Sequence, residues 1–345
     1  MASTEEDMNK FFHWVPLAPR SQYYFTTTLK RLANAGALLI AILAAFMVSL
    51  NLGSSVWGLI PLILSTILFG LPHGAVDHLV LLGLARRRLT LPSLFLVCGA
   101  YLAGVLLVLL LWWLLPLFAL IFFLVYTIFH WGKADLAFEA ICGHHNNRVR
   151  LNARAWAHLL LRGLLPIGIP FISFPQQTRD FLNQCLDTFG YEFIHNSSLS
   201  FALILVIGLL VVLEIGYCFQ GKVRWMIALE TLGLLIFFLT VPPLLAIGLY
   251  FCGWHGLRHV LRLLNYSEAE QGEQTTKQLG KALLRFFLRA TPFTILSLLM
   301  LWALQGLAAP TANFYGVVAI YLILISALTL PHILVVEWMD RTEFS

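Results

Sequence analysis

The chain has 345 residues, of which 59% are hydrophobic and only 11% charged, with a formal net charge of +5. Soluble domains carry roughly 25% charged residues, and a mean hydropathy of +0.83 exceeds what a water-soluble fold of this size can bury. The bilayer is therefore the solvent for most of the chain, and the basic excess calls for no nucleic-acid partner, because membrane proteins collect Lys and Arg in cytoplasmic loops.

Residues 1–32 read as a polar cytoplasmic tail, and 33–345 as a single membrane domain. The first apolar run, 33–52, has no small-residue cleavage site and reads as a retained signal anchor. Nine further runs follow at 57–84, 91–114, 116–138, 155–174, 199–219, 225–241, 244–264, 286–305 and 314–337. Each is long enough to cross a hydrocarbon core of roughly 30 Å. Pro116 and Pro242-Pro243 divide longer apolar stretches, because proline starts helices and disrupts their interiors. The segments 175–198 and 265–285 read as polar loops. The fold class is an all-α polytopic bundle of about ten transmembrane helices.

The charges fix an orientation. Lys30 and Arg31 precede the first span; Arg86, Arg87 and Arg88 follow the second, and Arg148, Arg150 and Arg154 the fourth. Lys222 and Arg224 follow the sixth, Lys277, Lys281 and Arg285 the eighth, and Arg341 the tenth. Ten spans with both termini cytoplasmic put nearly every basic residue inside.

Five cysteines, Cys98, Cys142, Cys185, Cys218 and Cys252, are scattered without a Cys-x-x-Cys pair, which excludes a disulfide framework and a cysteine zinc knuckle. The ionisable residues inside the spans are more informative, since such groups are costly in hydrocarbon and usually functional. Span two holds Pro72-His73-Gly74-Ala75-Val76-Asp77-His78, and span four holds Phe129-His130-Trp131-Gly132-Lys133-Ala134-Asp135. Span eight holds Trp254-His255-Gly256-Leu257-Arg258-His259, and span ten holds Leu330-Pro331-His332. All four spans run from outside to inside, and at about 1.5 Å per residue their histidines share a layer of roughly 10 Å.

His255 and His259 are four apart, so one helix face can offer two imidazoles to one metal. Asp77 is the candidate to accept a ligand's second N–H. His332 is flanked only by Pro331 and reads as a supporting group beside the metal ligands, or as a helix-packing histidine. His78 reads as structural and His158 as interfacial. Arg258 and Lys133 lie deep enough to need partners, for which Asp135 and Glu337 are available, and Cys252 is a possible soft ligand.

An all-imidazole set without a thiolate suits iron, copper or zinc. A hydrolytic zinc site wants the general-base glutamate of His-Glu-x-x-His, which is absent. A transporter wants carboxylates along a path across the bilayer, whereas these groups form one layer. The residues alone point to a membrane non-haem Fe(II) oxygenase acting on an apolar substrate. Two rival classes remain: a di-iron lipid desaturase or hydroxylase, which needs more His-x-x-x-His clusters, and a non-enzymatic transporter or assembly factor.

From about Phe69 to Asp340 the sequence resembles the Brp/Blh family of membrane β-carotene 15,15'-dioxygenases. The resemblance rests on Gly70-Leu71-Pro72-His73-Gly74-Ala75-Val76-Asp77-His78, then Phe129-His130-Trp131-Gly132, Trp254-His255-Gly256-Leu257-Arg258-His259 and Leu330-Pro331-His332, in that order. It implies Fe(2+) held by His73, His130, His255 and His259 as the catalytic and metal-binding residues. It also implies cleavage of the central double bond of β-carotene by O2 into two all-trans-retinal molecules, in a multi-pass protein of the cell (inner or plasma) membrane. Phe129, Trp131, Tyr250, Phe251 and Trp254 are candidates to line an apolar tunnel. The first 55 or so residues lie outside the resemblance. Oligomeric state is not legible in the chain.

Overall fold

The computed structural model describes residues 27–53, 56–87, 89–142, 152–191, 198–218, 222–267, 276–307 and 314–344. They form helices and contain no strand, as lipid demands of any segment that must satisfy its own backbone. The elements are α1 (Thr27–Ser49), α2 (Ile60–Ser65), α3 (Pro72–Ala75), α4 (Asp77–Leu84), α5 (Leu91–Leu114), α6 (Pro116–Cys142) and α7 (Ala153–Ser173). After them come α8 (Pro175–Asp187), α9 (Ser198–Cys218), α10 (Lys222–Thr240), α11 (Pro243–Tyr250), α12 (Gly256–Ser267), α13 (Thr276–Leu307) and α14 (Phe314–Phe344).

Among the described residues, eight helical stretches are long and apolar enough to cross a membrane. The other two expected spans differ in kind. Trp225–Thr240 is apolar but short, and α11–α12 is interrupted by a π turn and carries Arg258 and Arg262. The helix α1 begins at Thr27, ahead of the expected span, and residues 1–26 lie outside the described part. The proline boundaries hold: Pro116 opens α6 and Pro243 opens α11. The segment 265–285 is largely helical: α12 reaches Ser267 and α13 starts at Thr276.

The expected loop 175–198 is in its first half the helix α8. Pro175 starts it, and Leu182, Cys185 and Leu186 face inward against Trp112, Leu120 and Ile323. That i, i+3, i+4 spacing is an amphipathic signal which the polar residues between them hide.

Span two is not a continuous α-helix. A 3-10 turn (Val56–Leu59), α2, a π turn (Thr66–Gly70), α3 and α4 follow one another, with Val76 (φ −92°, ψ 0°) breaking the last two. Span eight repeats the device: the π turn Phe251–His255 separates α11 from α12. The two π turns pack against each other. A Cβ added to Gly256 would lie 2.9 Å from the Phe69 Cβ and 2.6 Å from the Phe251 carbonyl, so only glycine permits this crossing. Nearby, α6 and α7 form the most extensive helix pair. Side chains at Gly132 or Gly163 would overlap the carbonyls of Leu159 or Ile128 across the pair.

Large apolar side chains cover the outer surface; Phe95, Trp113 and Trp302 are each more than 70% exposed. An apolar belt of this extent is stable against lipid and not against water. The chain is a polytopic membrane protein.

Candidate metal centre

Five histidines from four separate stretches of chain meet inside the bundle. The His73 ring centroid lies 5.9 Å from that of His255, 5.3 Å from His259 and 4.8 Å from His332. His130 lies 5.2 Å from His255 and 5.2 Å from His332, and His259 lies 5.3 Å from His332. All five are buried. Imidazoles bonded to one ion at about 2.0–2.1 Å hold their centroids roughly 5 Å apart, which is the spacing seen.

Local structure sets which nitrogen of each ring is free. His73 follows the first π turn, and its Nδ1–H donates to the Phe69 carbonyl at 2.7 Å. A carbonyl only accepts, so the proton sits on Nδ1 and Nε2 keeps its lone pair. His332 is fixed the same way: Nδ1–H donates to Asp77 Oδ2 at 2.9 Å, which leaves Nε2 as a lone-pair donor. That Nε2, both ring nitrogens of His259 and Nδ1 of His255 are buried with no hydrogen-bond partner among the described residues. An unpartnered buried polar atom costs roughly 1–3 kcal/mol, and a neutral imidazole lone pair is a metal-binding group.

As the side chains stand, no three His, Cys, Asp or Glu donors among the described residues close on one bonding point. The fit to an ion rests on the unpartnered nitrogens and the shared ring spacing. An all-imidazole set suits iron, copper or zinc.

His332 lies beside the expected ligands, in direct contact with them. Its ring touches three of the four histidines that the motifs single out. Asp77 does accept an imidazole N–H, but from His332 rather than from His73 four residues away. The Tyr101 hydroxyl lies 3.2 Å from the same Asp77 oxygen and 3.1 Å from the Leu328 carbonyl, so α5 and α14 hold the carboxylate from two sides. His78 packs on Phe293 at 4.4 Å and bonds the Ala75 carbonyl through Nδ1. Cys252 is half-buried on the second π turn.

A cavity of about 210 Å³ adjoins the histidines. Of the aromatic residues expected along a tunnel, Trp131 and Phe251 line it. The others serve elsewhere. Tyr250 stacks on His255 at 6.1 Å, Phe129 pairs with Trp156, and Trp254 bonds Asp135.

That last contact belongs to a buried charge network beside the centre. Trp254 Nε1 donates to both Asp135 oxygens at 3.0 and 3.1 Å, and the Arg258 guanidinium stacks on the Trp254 ring at 3.5 Å. Arg258 pairs with Asp135 at 3.4 Å and Glu230 at 3.2 Å. Lys133 pairs with Glu337 and, at 3.2 Å, with Asp340. Arg162 reaches Asp135, Glu139 and Glu230, and His158 bridges Glu139 and Glu214. His158, read from the sequence as interfacial, is buried between two carboxylates. Arg162, Glu214 and Glu230 each interrupt an apolar run, a signal of this network that the reading of the histidine motifs passed over.

Comparison with known proteins shows the family. Residues 64–340 match the family described as "Beta-carotene 15,15'-dioxygenase". The "Probable beta-carotene 15,15'-dioxygenase Blh" of Halobacterium salinarum is 31% identical over 301 residues, covering 82% of this chain and 84% of that protein. The "Beta-carotene 15,15'-dioxygenase" of uncultured marine bacterium 66A03 is 25% identical over 81% of this chain and 93% of its own length. The "Probable beta-carotene 15,15'-dioxygenase Brp" of Halobacterium salinarum is 24% identical over 95% of both chains, so that similarity extends through α1. No solved structure matches. A match that spans every one of the five clustered histidines, joined to a relative above 30% identity over most of both chains, places this protein in the β-carotene 15,15'-dioxygenase family.

Proposed function

We propose that the chain cleaves β-carotene at its 15,15' double bond with O2, giving two molecules of all-trans-retinal, at an Fe(2+) site built by His73, His130, His255 and His259 and closed by His332. The observation that carries this reading is the set of unpartnered imidazole nitrogens meeting beside an apolar cavity. The names of the relatives supply the substrate. The balance needs no reductant: one C=C and one O=O bond are lost, and two C=O bonds form.

When bound, the ion supplies the redox-active centre at which dioxygen is activated. The protein's own part is positional. The Phe69 carbonyl and Asp77 point the His73 and His332 lone pairs inward. The Asp135–Trp254–Arg258 contacts fix the turn of helix that carries His255 and His259. Trp131 and Phe251 give the polyene an apolar wall beside the rings. Burial of all five rings keeps bulk water from the reacting atoms.

Expression in a β-carotene-accumulating host tests the reading. Loss of orange colour with appearance of retinal is expected, and purified protein is expected to hold close to one iron per chain. Retained colour in cells that make iron-loaded protein would refute the substrate, and active protein holding zinc without iron would refute the metal.

A further inference from the structure

The cavity beside the histidines is not closed on all sides. One wall comes from α5, through Val97, Cys98 and Leu102, and the facing wall from α13, through Phe293, Leu296 and Met300. Leu102 is 48% exposed and Leu296 is 50% exposed, so both look into the cavity and onto the outer surface at once. The helix α5 is held by α14, α6 and α4, while α13 is held by α3, α14 and α12; among the described residues no extended interface joins α5 to α13. Both wall segments lie within helices long and apolar enough to cross a membrane, away from their ends.

We infer that the gap between α5 and α13 is a lateral portal through which a long apolar polyene passes between the hydrocarbon of the bilayer and the metal centre. The inference rests on the proposed substrate class. Its argument is the continuity of the gap with the histidine cluster and the chemistry of its walls. The hydroxyls of the lining residues Ser297 and Thr329 turn back onto their own helix, to the Phe293 carbonyl at 2.9 Å and the Ile325 carbonyl at 2.6 Å. Tyr101 is taken by Asp77 and Leu328. These donors are spent within the protein, so the passage favours an occupant that asks for no hydrogen bond. A polyene dissolved among lipid tails reaches the centre by this route without crossing water.

The test uses the full chain in phosphatidylcholine vesicles loaded with β-carotene. Leu102→Trp on α5 and Leu296→Trp on α13 each place a large ring in the gap. In each variant kcat/KM for β-carotene is expected to fall about tenfold or more with iron content unchanged, because a narrower portal slows capture and leaves the centre intact. Leu107→Trp, on the lipid-facing side of α5 and off the cavity, is expected to keep the wild-type rate. Alkylation of Cys98 reads the same route without turnover. A bilayer-soluble maleimide is expected to modify Cys98 faster than a membrane-impermeant one, and Leu296→Trp is expected to slow it. Wild-type kcat/KM in both tryptophan variants, or Cys98 alkylation indifferent to Leu296→Trp, would overturn the portal. If vesicle-bound wild-type protein yields no retinal while its Cys98 labelling still responds to Leu296→Trp, the route stands and the substrate assignment fails.

Discussion

His332 shows how much a single ring depends on its setting. Replacing His73, His130, His255 or His259 by Ala is expected to remove most iron and most activity. His332→Ala is expected to do the same, since its Nε2 has no other partner. Asp77→Asn keeps the ring in place but weakens its orientation, and the expected loss is about 10–100-fold in metal affinity or activity. Iron content of variants that still extract as folded protein distinguishes these cases from loss of packing. His332→Ala with full iron would return that residue to a helix-packing role. The sequence exposed the other four through paired motifs. It marked His332 only as a supporting group, because Pro331 was its one marked neighbour and its partner, Asp77, is 255 residues away.

At the scale of elements, the two π turns carry the site. Each adds one residue to a helical turn, and such bulges gather at functional sites. An alanine inserted between Leu71 and Pro72, past the π turn, would rotate the following segment by about 100°, which carries His73 out of the cluster. Iron content is expected to fall to background while the protein still inserts. The turns were not legible in the chain, because an apolar run all round a helix carries no face from which to read its phase. The charge network supports the same helices. Asp135→Ala leaves Arg258 and Arg162 short of a buried partner, and the expected cost is about 3 kcal/mol or more, seen as a lower thermal midpoint in detergent. Asp135→Asn, which still accepts from Trp254, is expected to lose less. In α8, burial pushes the Cys185 thiol up to about 12, so it is expected to resist the maleimides that modify Cys98.

For the whole molecule, the hydropathy runs and prolines foretold most helices within a few residues, since length and apolarity alone define a span. They could not show that one run was short and two others broken. The Lys and Arg pattern still predicts a topology. Cysteine labelling is expected to place the 86–90, 139–154 and 265–285 segments in the cytoplasm and 175–198 outside. A cytoplasmic 175–198 would reverse the shared direction assigned to the histidine helices.

The order in which the five rings occur along the chain has a consequence for biogenesis. His73 precedes the other four and His332 follows them, on α14. A ribosome inserting these helices one after another therefore completes the set of five imidazoles only when α14 is made and docks. A product truncated before α14 would lack His332, the partner of Asp77 and the wall that holds α5. Metal retention is thus expected to follow insertion of α14, and bound iron to mark chains that contain it. Pulse-labelled truncations ending before Phe314 are expected to enter the membrane without retaining iron.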